Sequence, residues 1–255
     1  MPVSRPLRNV AAVILAGGAS ARMGRKAKAL LPLGGCPMIL RVLDTVKKAG
    51  FRRVIVVVGH QAPDVVKVLP PGIEWVMQRR RLGTGHALSR CRHNLLDFRG
   101  ALLVLYCDNP FVTPALLRSL VEHHRRRRAH ATVLTVRLPD PDAYGRIVRN
   151  GTGGVHAIVE ARDATPEQLP IREINTGVYC FESPLIFKVL ARVKKSPVKG
   201  EYYLTDVIGI LSSSSHRVEA RVTKVEAAVV GINTPEELAA AEKLLAGRRR
   251  KLAQT

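Results

Sequence analysis

The stretch "AVILAGGASARMG", residues 12–24, runs from apolar residues through small ones to a single arginine. It overlaps the apolar run "NVAAVILAG" (9–17), which predicts a central parallel β-strand ending at a glycine-rich turn. In an open α/β sheet such a turn lies at the carboxyl edge, where backbone N–H groups and helix N-termini point outward. Small residues let the backbone approach phosphate oxygens closely, so this stretch predicts a phosphate-binding loop.

Two known glycine-rich patterns do not fit this loop. It lacks the GxxxxGK[ST] pattern of the P-loop, and it is neither GxGxxG nor followed by an acid at the distance that a ribose contact requires. We therefore expect neither a kinase-type P-loop nor a hydride-transfer fold. Arg22 closes the loop and Lys28 follows six residues later. These two cations are candidates for neutralising the charge of a departing pyrophosphate.

Strand-like and helix-like segments alternate along the chain, which predicts an α/β fold with a Rossmann-like, mostly parallel mixed sheet flanked by helices. A change of pattern after residue 138, with a hairpin over 144–160, predicts an inserted, smaller β-rich lobe. The predicted strands are 9–17, 53–58, 73–77, 101–107, 130–138, 174–182 and 218–224. The predicted helices are 37–50, 63–69, one opening at 83, 114–127 capped by Thr113, 183–195, 203–213 and 235–246 capped by Thr234, followed by a mobile basic tail, 247–255.

Composition limits the class of protein. With 255 residues and 46% hydrophobic residues the chain can bury a substantial core. Its apolar runs are strand-length, far short of the ~20 residues that a membrane span needs, and no secretory signal is expected at the N-terminus. Four cysteines without CxxC spacing predict reduced thiols in the cytoplasm rather than zinc ligands or disulfides: Cys36, Cys91, Cys107 and Cys180.

The formal net charge of +21 indicates an anionic partner or a solvated basic surface. Two runs, "RRRR" at 125–128 and "RRRK" at 248–251, contribute to it. Steering of a polyphosphate substrate is the favoured interpretation, a plain solvated face is the second, and nucleic-acid binding is the least favoured.

The motifs resemble a known family when they are taken together. "LAGGASARMG" and "KALLPLGGCPMI" (28–39) are similar to the signature of the sugar nucleotidyltransferase superfamily. Seven later stretches resemble the uridyltransferase, or pyrophosphorylase, domain of bacterial N-acetylglucosamine-1-phosphate uridyltransferases of the bifunctional GlmU type. Their order and spacing hold from about residue 9 to 245. They are "QRRRLGTGHAL" (78–88), "LYCDNPFV" (105–112), "YGRIVR" (144–149), "IVEARDAT" (158–165), "EINTGVY" (173–179), "GEYYLTDVI" (200–208) and "GIN" (231–233).

The resemblance implies a division of labour among residues. The catalytic cations are Arg22 and Lys28, and a Mg²⁺ cofactor is held by Asp108 and Asn233. The nucleotide is bound by Leu15, Ala16, Gly17, Gly18, Gln78, Gly83, Thr84 and Tyr106. The sugar phosphate is bound by Gly145, Glu160, Asn175, Tyr203 and Thr205.

It also implies a reaction, the transfer of UMP from UTP to N-acetyl-α-D-glucosamine 1-phosphate with release of pyrophosphate. The nucleotide half spans about 9–138, the sugar-binding half about 139–234, and together with the helix 235–246 they form one domain. No hexapeptide repeat follows. We therefore expect no left-handed β-helix and no acetyltransferase activity, and a monomer or dimer rather than the family trimer. UTP and a sugar 1-phosphate are the expected partners; a membrane and nucleic acid are not.

Three residues depart from the family pattern and leave alternatives open. Arg81 replaces a second glutamine, Cys107 replaces the glycine before Asp108, and Ala27 replaces the proline before Lys28. Arg81 keeps open transfer to another sugar 1-phosphate, such as glucose 1-phosphate, and transfer from CTP or GTP. The loop also resembles that of the molybdenum-cofactor cytidylyl and guanylyl transferases. A non-catalytic basic protein that binds nucleotides or RNA is the alternative from another class.

Overall fold

The fold is organised around β1 (Val10–Ala16), the strand predicted from the opening stretch. The computed structural model describes residues 7–18, 27–224 and 231–253, with side chains as far as residue 247. Every residue of β1 is buried, as expected for a strand that is covered on both faces of a sheet.

The remaining elements follow in chain order. The strands are β2 (Pro32–Leu33), β3 (Cys36–Pro37), β4 (Arg53–Val58), β5 (Glu74–Met77), β6 (Gly100–Tyr106), β7 (Ala131–Arg137), β8 (Arg146–Arg149), β9 (Val155–Val159), β10 (Glu173–Ser183) and β11 (Val218–Thr223). The helices are α1 (Met38–Lys48), α2 (Ala62–Val68), α3 (Thr84–Ser89), α4 (Pro114–Arg126), α5 (Leu185–Leu190), α6 (Asp206–Ser213) and α7 (Pro235–Ala253). Short 3₁₀ helices cover Lys28–Leu30 and His93–Leu95.

The central sheet has the strand order β11-β7-β10-β6-β1-β4-β5. Four of its neighbouring pairs are parallel and two, both made by β10, are antiparallel. The predicted α/β class with a mostly parallel, mixed sheet is therefore confirmed. β4 and β6 flank β1 on opposite sides, so the chain reverses its direction of travel across the sheet at β1. Open α/β sheets bind ligands at such a switch point, outside the carboxyl ends of the strands.

The core lies on both faces of the sheet. Alternate residues of β1 point to opposite sides: Ala12 and Ile14 join one cluster, whereas Val13 and Leu15 join the other. Helices α1 and α4 cover the first face, and α3, α5 and α6 cover the second. None of the helices in the described part of the chain is long and apolar enough to cross a membrane.

The second half of the chain contributes a β-hairpin and an irregular strand, β10, to the sheet. β8 and β9 pair with each other over the predicted 144–160 hairpin, and Ile174 pairs with Arg146 to attach them to β10. The register of β10 against β7 shifts between Asn175, opposite Thr135, and Tyr179, opposite Val133. Such a bulge redirects side chains locally, and bulges are common beside active sites.

Three predicted helices differ from the structure by three residues or more at one end, and two of these lie before β11. The helix expected over 183–195 is α5, which begins at Leu185 and ends at Leu190. Beyond it Lys195 is extended and pairs with Tyr202 as an isolated bridge. The helix expected from 203 begins at Asp206, because the backbone N–H of Leu204 donates to Thr84 Oγ1 and so fixes the preceding turn elsewhere.

The last helix is longer than predicted. We expected it to end at residue 246 and to be followed by a mobile basic tail, but α7 continues through Ala253. A single Gly247 inside a helix costs only about 1 kcal/mol relative to alanine, and the arginines, lysine and leucine that follow are good helix formers.

Candidate active site

A cavity of about 580 Å³ opens at the carboxyl ends of β1 and β6, next to the switch point of the sheet. It is lined by residues from both halves of the sheet and from the segment before α7. The predicted site residues that line it are Leu15, Gly17, Gly18, Lys28, Gln78, Gly83, Thr84, Tyr106, Asp108, Gly145, Glu160, Asn175, Tyr203 and Asn233.

Two predicted site residues do not line the cavity, and the position of a third is not described. Ala16 is buried in β1 and packs into the core, so its side chain faces away from the cavity. Thr205 is buried behind the lining, where its hydroxyl donates to Glu160 Oε1 at 3.0 Å. Arg22 lies outside the described residues.

The glycine-rich turn passes very close to the end of β4. A Cβ atom at Gly59 would stand 2.6 Å from the carbonyl oxygen of Gly17, a distance that real Cβ atoms do not adopt. A Cβ at Gly17 would in turn stand 3.2 Å from Gln78 Oε1. Small residues are therefore required here for close packing beside the cavity.

The ammonium group of Lys28 joins two oxygens from distant parts of the chain. Lys28 lies in the 3₁₀ helix after the glycine loop and is only 9% exposed. Its Nζ contacts Asp108 Oδ2 directly and donates to Asn233 Oδ1 at 2.7 Å. A carboxylate oxygen and an amide oxygen thus converge on one cation.

The segment that carries Asn233 is fixed by the start of α7. Thr234 Oγ1 accepts from the backbone N–H of Glu237, and Glu237 Oε2 accepts from that of Thr234, which makes the predicted cap a reciprocal capping box. The backbone N–H of Ile232 donates to the carbonyl oxygen of Asp108 at 3.1 Å. Asn233 and Asp108 are therefore held together by main-chain as well as side-chain contacts.

On the side of the cavity beyond β5, Gln78 is buried and held by local contacts. Its Nε2 lies 3.0 Å from the carbonyl oxygen of Gly83 and 3.0 Å from His86 Nδ1. Gly83 has φ +95°, and a Cβ there would stand 2.5 Å from the carbonyl oxygen of Tyr202. Only glycine fits this combination of backbone conformation and close approach.

The bulge in β10 makes room for Tyr106 at the end of β6. Gly177 has φ +76°, and a Cβ there would stand 2.4 Å from two ring carbons of Tyr106. Side chains replace the lost ladder bonds: Thr176 Oγ1 donates to the carbonyl oxygen of Leu134, and the Gly177 N–H donates to Asn175 Oδ1. Burial and the nearby Glu160 carboxylate raise the pKa of Tyr106, whose hydroxyl is therefore neutral.

The opposite wall of the cavity is built from the hairpin and β10. Asn175 Nδ2 donates to Tyr179 Oη at 2.6 Å, and the backbone N–H of Asn175 donates to the carbonyl oxygen of Gly145. Glu160 follows β9 and accepts from Thr205. These contacts fix the direction of each polar group, which is how binding pockets orient a polar ligand.

Three carboxylates meet beneath this wall. Burial raises the pKa of Glu160, and the nearby Asp163 raises it further. Burial, Glu160 and Asp163 together raise the pKa of Asp206 to about 6. Each ionised group here opposes the ionisation of the others, because like charges in a partly buried site repel.

The three departures from the family pattern lie in different environments. Cys107 is buried, and burial together with the Asp108 charge raises the pKa of its thiol to about 12, so its predicted packing role agrees with its surroundings. Arg81 is exposed at the rim and lines the cavity. Ala27 is buried directly before Lys28.

Several lining residues were not predicted. Asn109 is buried and its Nδ2 donates to the carbonyl oxygen of Thr176, which ties the end of β6 to the β10 bulge. The Tyr144 hydroxyl hydrogen-bonds the backbone of Gly231. Lys199 and Glu201 line the cavity from the loop before α6. Each of these residues lies inside or beside one of the sequence motifs given above. A motif alone does not show which of its residues face the cavity.

A glycine-rich loop lies at one edge of an α/β sheet, and a lysine, an aspartate and an asparagine contact one another beside it. This fold and this site define a nucleotidyltransferase. The family model described as the MobA-like NTP transferase domain matches residues 12–176. The chain belongs to this family.

Curated relatives are much longer than this chain. It is 43% identical over 238 residues to the Bifunctional protein GlmU of Shouchella clausii, covering 93% of this chain and 52% of the relative. It is 42% identical over 238 residues to the protein of the same name from Geobacillus thermodenitrificans, with the same two coverages. The resemblance inferred from the motifs is confirmed. The chain spans about half the length of these relatives.

Solved structures share the fold over nearly the whole chain. UDP-glucose pyrophosphorylase in complex with UDP-glucose superposes with a TM-score of 0.77 at 16% identity, covering 93% of this chain and 98% of the other. The apo form of UDP-glucose pyrophosphorylase gives a TM-score of 0.78 at 17% identity, covering 94% and 99%. At these identities the likeness shows the fold alone.

Replacing Gly177 with alanine tests the packing of Tyr106 in the bulge. In Gly177→Ala the new Cβ would be strained by the positive φ and would also collide with the Tyr106 ring. Gly153 has a similar φ, +80°, but a Cβ there would have no atom within 4 Å. We expect Gly177→Ala to lower the free energy of unfolding by about 1 kcal/mol or more beyond the loss in Gly153→Ala, as overpacking does. Urea denaturation measures both variants, and equal losses would contradict the collision.

Replacing Asp206 with asparagine tests the cluster of carboxylates. The pKa of about 6 in the folded protein exceeds the ~3.9 of an unfolded chain, so the stabilisation from the bound proton is complete below about pH 4 and is lost as the pH rises through about 6. We therefore expect Asp206→Asn to gain stability relative to the wild type as the pH rises across that interval. Urea denaturation at the two ends of this pH interval measures the difference in the free energy of unfolding between the variant and the wild type. A difference that does not change with pH would refute the prediction.

Proposed function

We propose that this protein transfers UMP from UTP to N-acetyl-α-D-glucosamine 1-phosphate, giving UDP-N-acetylglucosamine and pyrophosphate. The observation that carries the proposal is the convergence of Lys28, Asp108 and Asn233 beside the glycine loop, within one cavity that also reaches Glu160. A site for a triphosphate and a sugar phosphate needs oxygens that bind a cation, a positive charge beside them, and polar side chains that can orient the sugar. The similarity to the GlmU proteins supports the choice of substrates.

The phosphate chain would lie along the glycine loop. Gly17 and Gly18 present backbone to the cavity without side chains, and Lys28 adds a positive charge that is almost completely shielded from water. A buried cation interacts with phosphate oxygens more strongly than an exposed one, because less solvent screens it. Arg22, which closes the loop in the sequence, is proposed as a second cation for the leaving pyrophosphate.

Mg²⁺ fits the oxygens that Lys28 now contacts. Asp108 Oδ2 and Asn233 Oδ1 are hard donors that already share one cationic partner. Among the described residues no three His, Cys, Asp or Glu side chains form a metal-binding group. Mg²⁺ is usually bound through one or two protein ligands together with waters and substrate phosphates, so two protein oxygens suffice. When bound, Mg²⁺ would neutralise negative charge on the phosphate oxygens.

The chemical step is an in-line displacement. An oxygen of the sugar phosphate forms a bond to the α-phosphorus of UTP while the bond from that phosphorus to the oxygen bridging toward the β-phosphorus breaks, and pyrophosphate departs with the electron pair. The attacking phosphate oxygen is already ionised, so no residue has to remove a proton. Lys28 stabilises charge on oxygens, and the rest of the site contributes mainly by positioning.

The sugar would be oriented by the wall that Glu160 and Asn175 form, with Thr205 directly behind it. Thr205 donates to one carboxylate oxygen of Glu160, which leaves the carboxylate able to accept bonds from sugar hydroxyls. The side-chain amide of Asn175 donates to Tyr179 Oη and accepts from the backbone N–H of Gly177, so it has a fixed direction before substrate arrives. Tyr203 lines the same part of the cavity.

A second candidate is transfer of a different nucleotide within the same chemistry. Arg81 lines the cavity in place of the glutamine of the family pattern, and the matching family is described as MobA-like. Arginine is a donor only, so it favours base edges rich in acceptors. The assay below therefore includes each nucleoside triphosphate.

A substrate panel tests the proposal directly. The protein is mixed with Mg²⁺, each of the common nucleoside triphosphates and several sugar 1-phosphates, and pyrophosphate is measured. We expect UTP with N-acetylglucosamine 1-phosphate to give the highest kcat/KM. In Lys28→Met, kcat for this pair should fall by about 10²–10³, the effect of removing one preorganised electrostatic contact. The exposed Lys47→Met serves as control and should retain activity.

Two results would overturn the proposal. Brisk release of pyrophosphate from a different substrate pair, with none from the proposed pair, would reject the substrates but retain the chemistry. No release from any pair, combined with nucleotide binding that falls steeply with salt, would favour the non-catalytic alternative.

A further inference from the structure

The side-chain amide of Gln78 has two partners inside the protein. Its nitrogen, Nε2, lies 3.0 Å from the carbonyl oxygen of Gly83 and 3.0 Å from Nδ1 of His86. Gln78 is 5% exposed and lines the cavity, so its remaining amide atom is the part available to a ligand.

The chemistry of these partners fixes the orientation of the amide. A carbonyl oxygen can only accept, so the NH₂ end of Gln78, and not its oxygen, must face Gly83. The second N–H of the same nitrogen then points to His86. Both donors of Gln78 are used within the protein, and Oε1 remains, close to Gly17 at the cavity wall.

This arrangement requires His86 to be an acceptor at Nδ1. A neutral imidazole that carries its proton on Nε2 provides the lone pair, whereas an imidazolium does not. The charged groups around the ring favour the neutral form. A small cavity beside His86 is lined by Arg79 and Arg80 from the preceding loop and by Arg90, which follows the last residue of α3. Burial and Arg90 lower the pKa of His86.

We propose that His86 is a positioning residue that selects uracil, because it holds the Gln78 amide with only its acceptor facing the base. This inference rests on the proposed function and deepens it. His86 itself need not touch the substrate.

Base chemistry explains the selection. The N3 position of uracil is a donor and can give its proton to Gln78 Oε1, whereas the N3 position of cytosine is an acceptor and would face Oε1 with no proton between them. Rotating the amide to accommodate cytosine would bring Oε1 against the carbonyl oxygen of Gly83 and break both internal bonds. Leaving buried polar groups unpaired is the strongest means by which a site rejects a near-identical ligand.

The inference predicts a dependence on pH. When the pH falls through the lowered pKa of His86, a proton occupies Nδ1 and the bond to Gln78 is lost. The preference for UTP over CTP should then decline as the pH falls to the acid side of the ordinary titration range of histidine. Protonation of the phosphate chains cancels in this ratio, because UTP and CTP share it. Protonation of cytosine at N3 does not cancel, and its contribution is measured in His86→Asn, which has no ring to titrate.

Two substitutions separate positioning from packing. His86→Phe keeps a ring of similar size but has no acceptor, and His86→Asn can place an amide oxygen near the position of Nδ1. We expect the ratio of kcat/KM for UTP to that for CTP to fall about tenfold in His86→Phe, the size expected for loss of one buried hydrogen bond. His86→Asn should restore most of the preference and leave only the pH dependence that protonation of cytosine N3 causes. An unchanged ratio in His86→Phe would overturn the inference.

A measurement on the free protein keeps the inference testable if either variant misfolds or the wild type has no activity. Nitrogen-15 NMR of the histidine rings should show His86 as the Nε2–H tautomer at neutral pH. A proton on Nδ1 at neutral pH would overturn the positioning role. An inactive wild type that shows the expected tautomer would reject the proposed function while leaving the Gln78–His86 contact intact.

Discussion

One buried ammonium group organises the site. Lys28 contacts Asp108 and Asn233, and these three residues come from the segment after the glycine loop, the end of β6 and the turn before α7. Removing a charged group from water is costly unless it is paired, so the fold must bring two oxygens to this lysine. The capping box of α7 and the bond from Ile232 to Asp108 supply that placement.

The cavity lies where the two parts of the sheet meet. β1 and β6 belong to the parallel part, which offers its glycine loop at the carboxyl edge, and β10 runs antiparallel beside β6. The bulge in β10 allows Tyr106 to lie against Gly177, so that two walls of the cavity face each other across one opening. A side chain at position 177 would enter the volume that the Tyr106 ring occupies.

The sequence predicted the parallel half of the fold well, because fully apolar strands, glycine turns and capped helices leave strong local signals. The positions of the glycine loop and of Lys28 could be predicted for the same reason, whereas Asp108 came from the resemblance to a known family. The bulge in β10 could not be predicted, since it depends on a contact between distant residues, Gly177 and Tyr106. The extension of α7 rests on local helix propensity, but Gly247 led us to expect an earlier end. His86 carried no local signal of its role, because that role exists only through the orientation of Gln78.

The most direct test of this account is the binding of Mn²⁺, as a spectroscopic substitute for Mg²⁺, in the presence of UTP. Electron paramagnetic resonance would give the affinity for the wild type, Asp108→Asn, Asn233→Ala and the exposed control Asp97→Asn. If one ion is shared, Asp108→Asn and Asn233→Ala should each weaken Mn²⁺ binding by about tenfold or more, while the control remains unchanged. Wild-type affinity in either site variant would contradict the shared site.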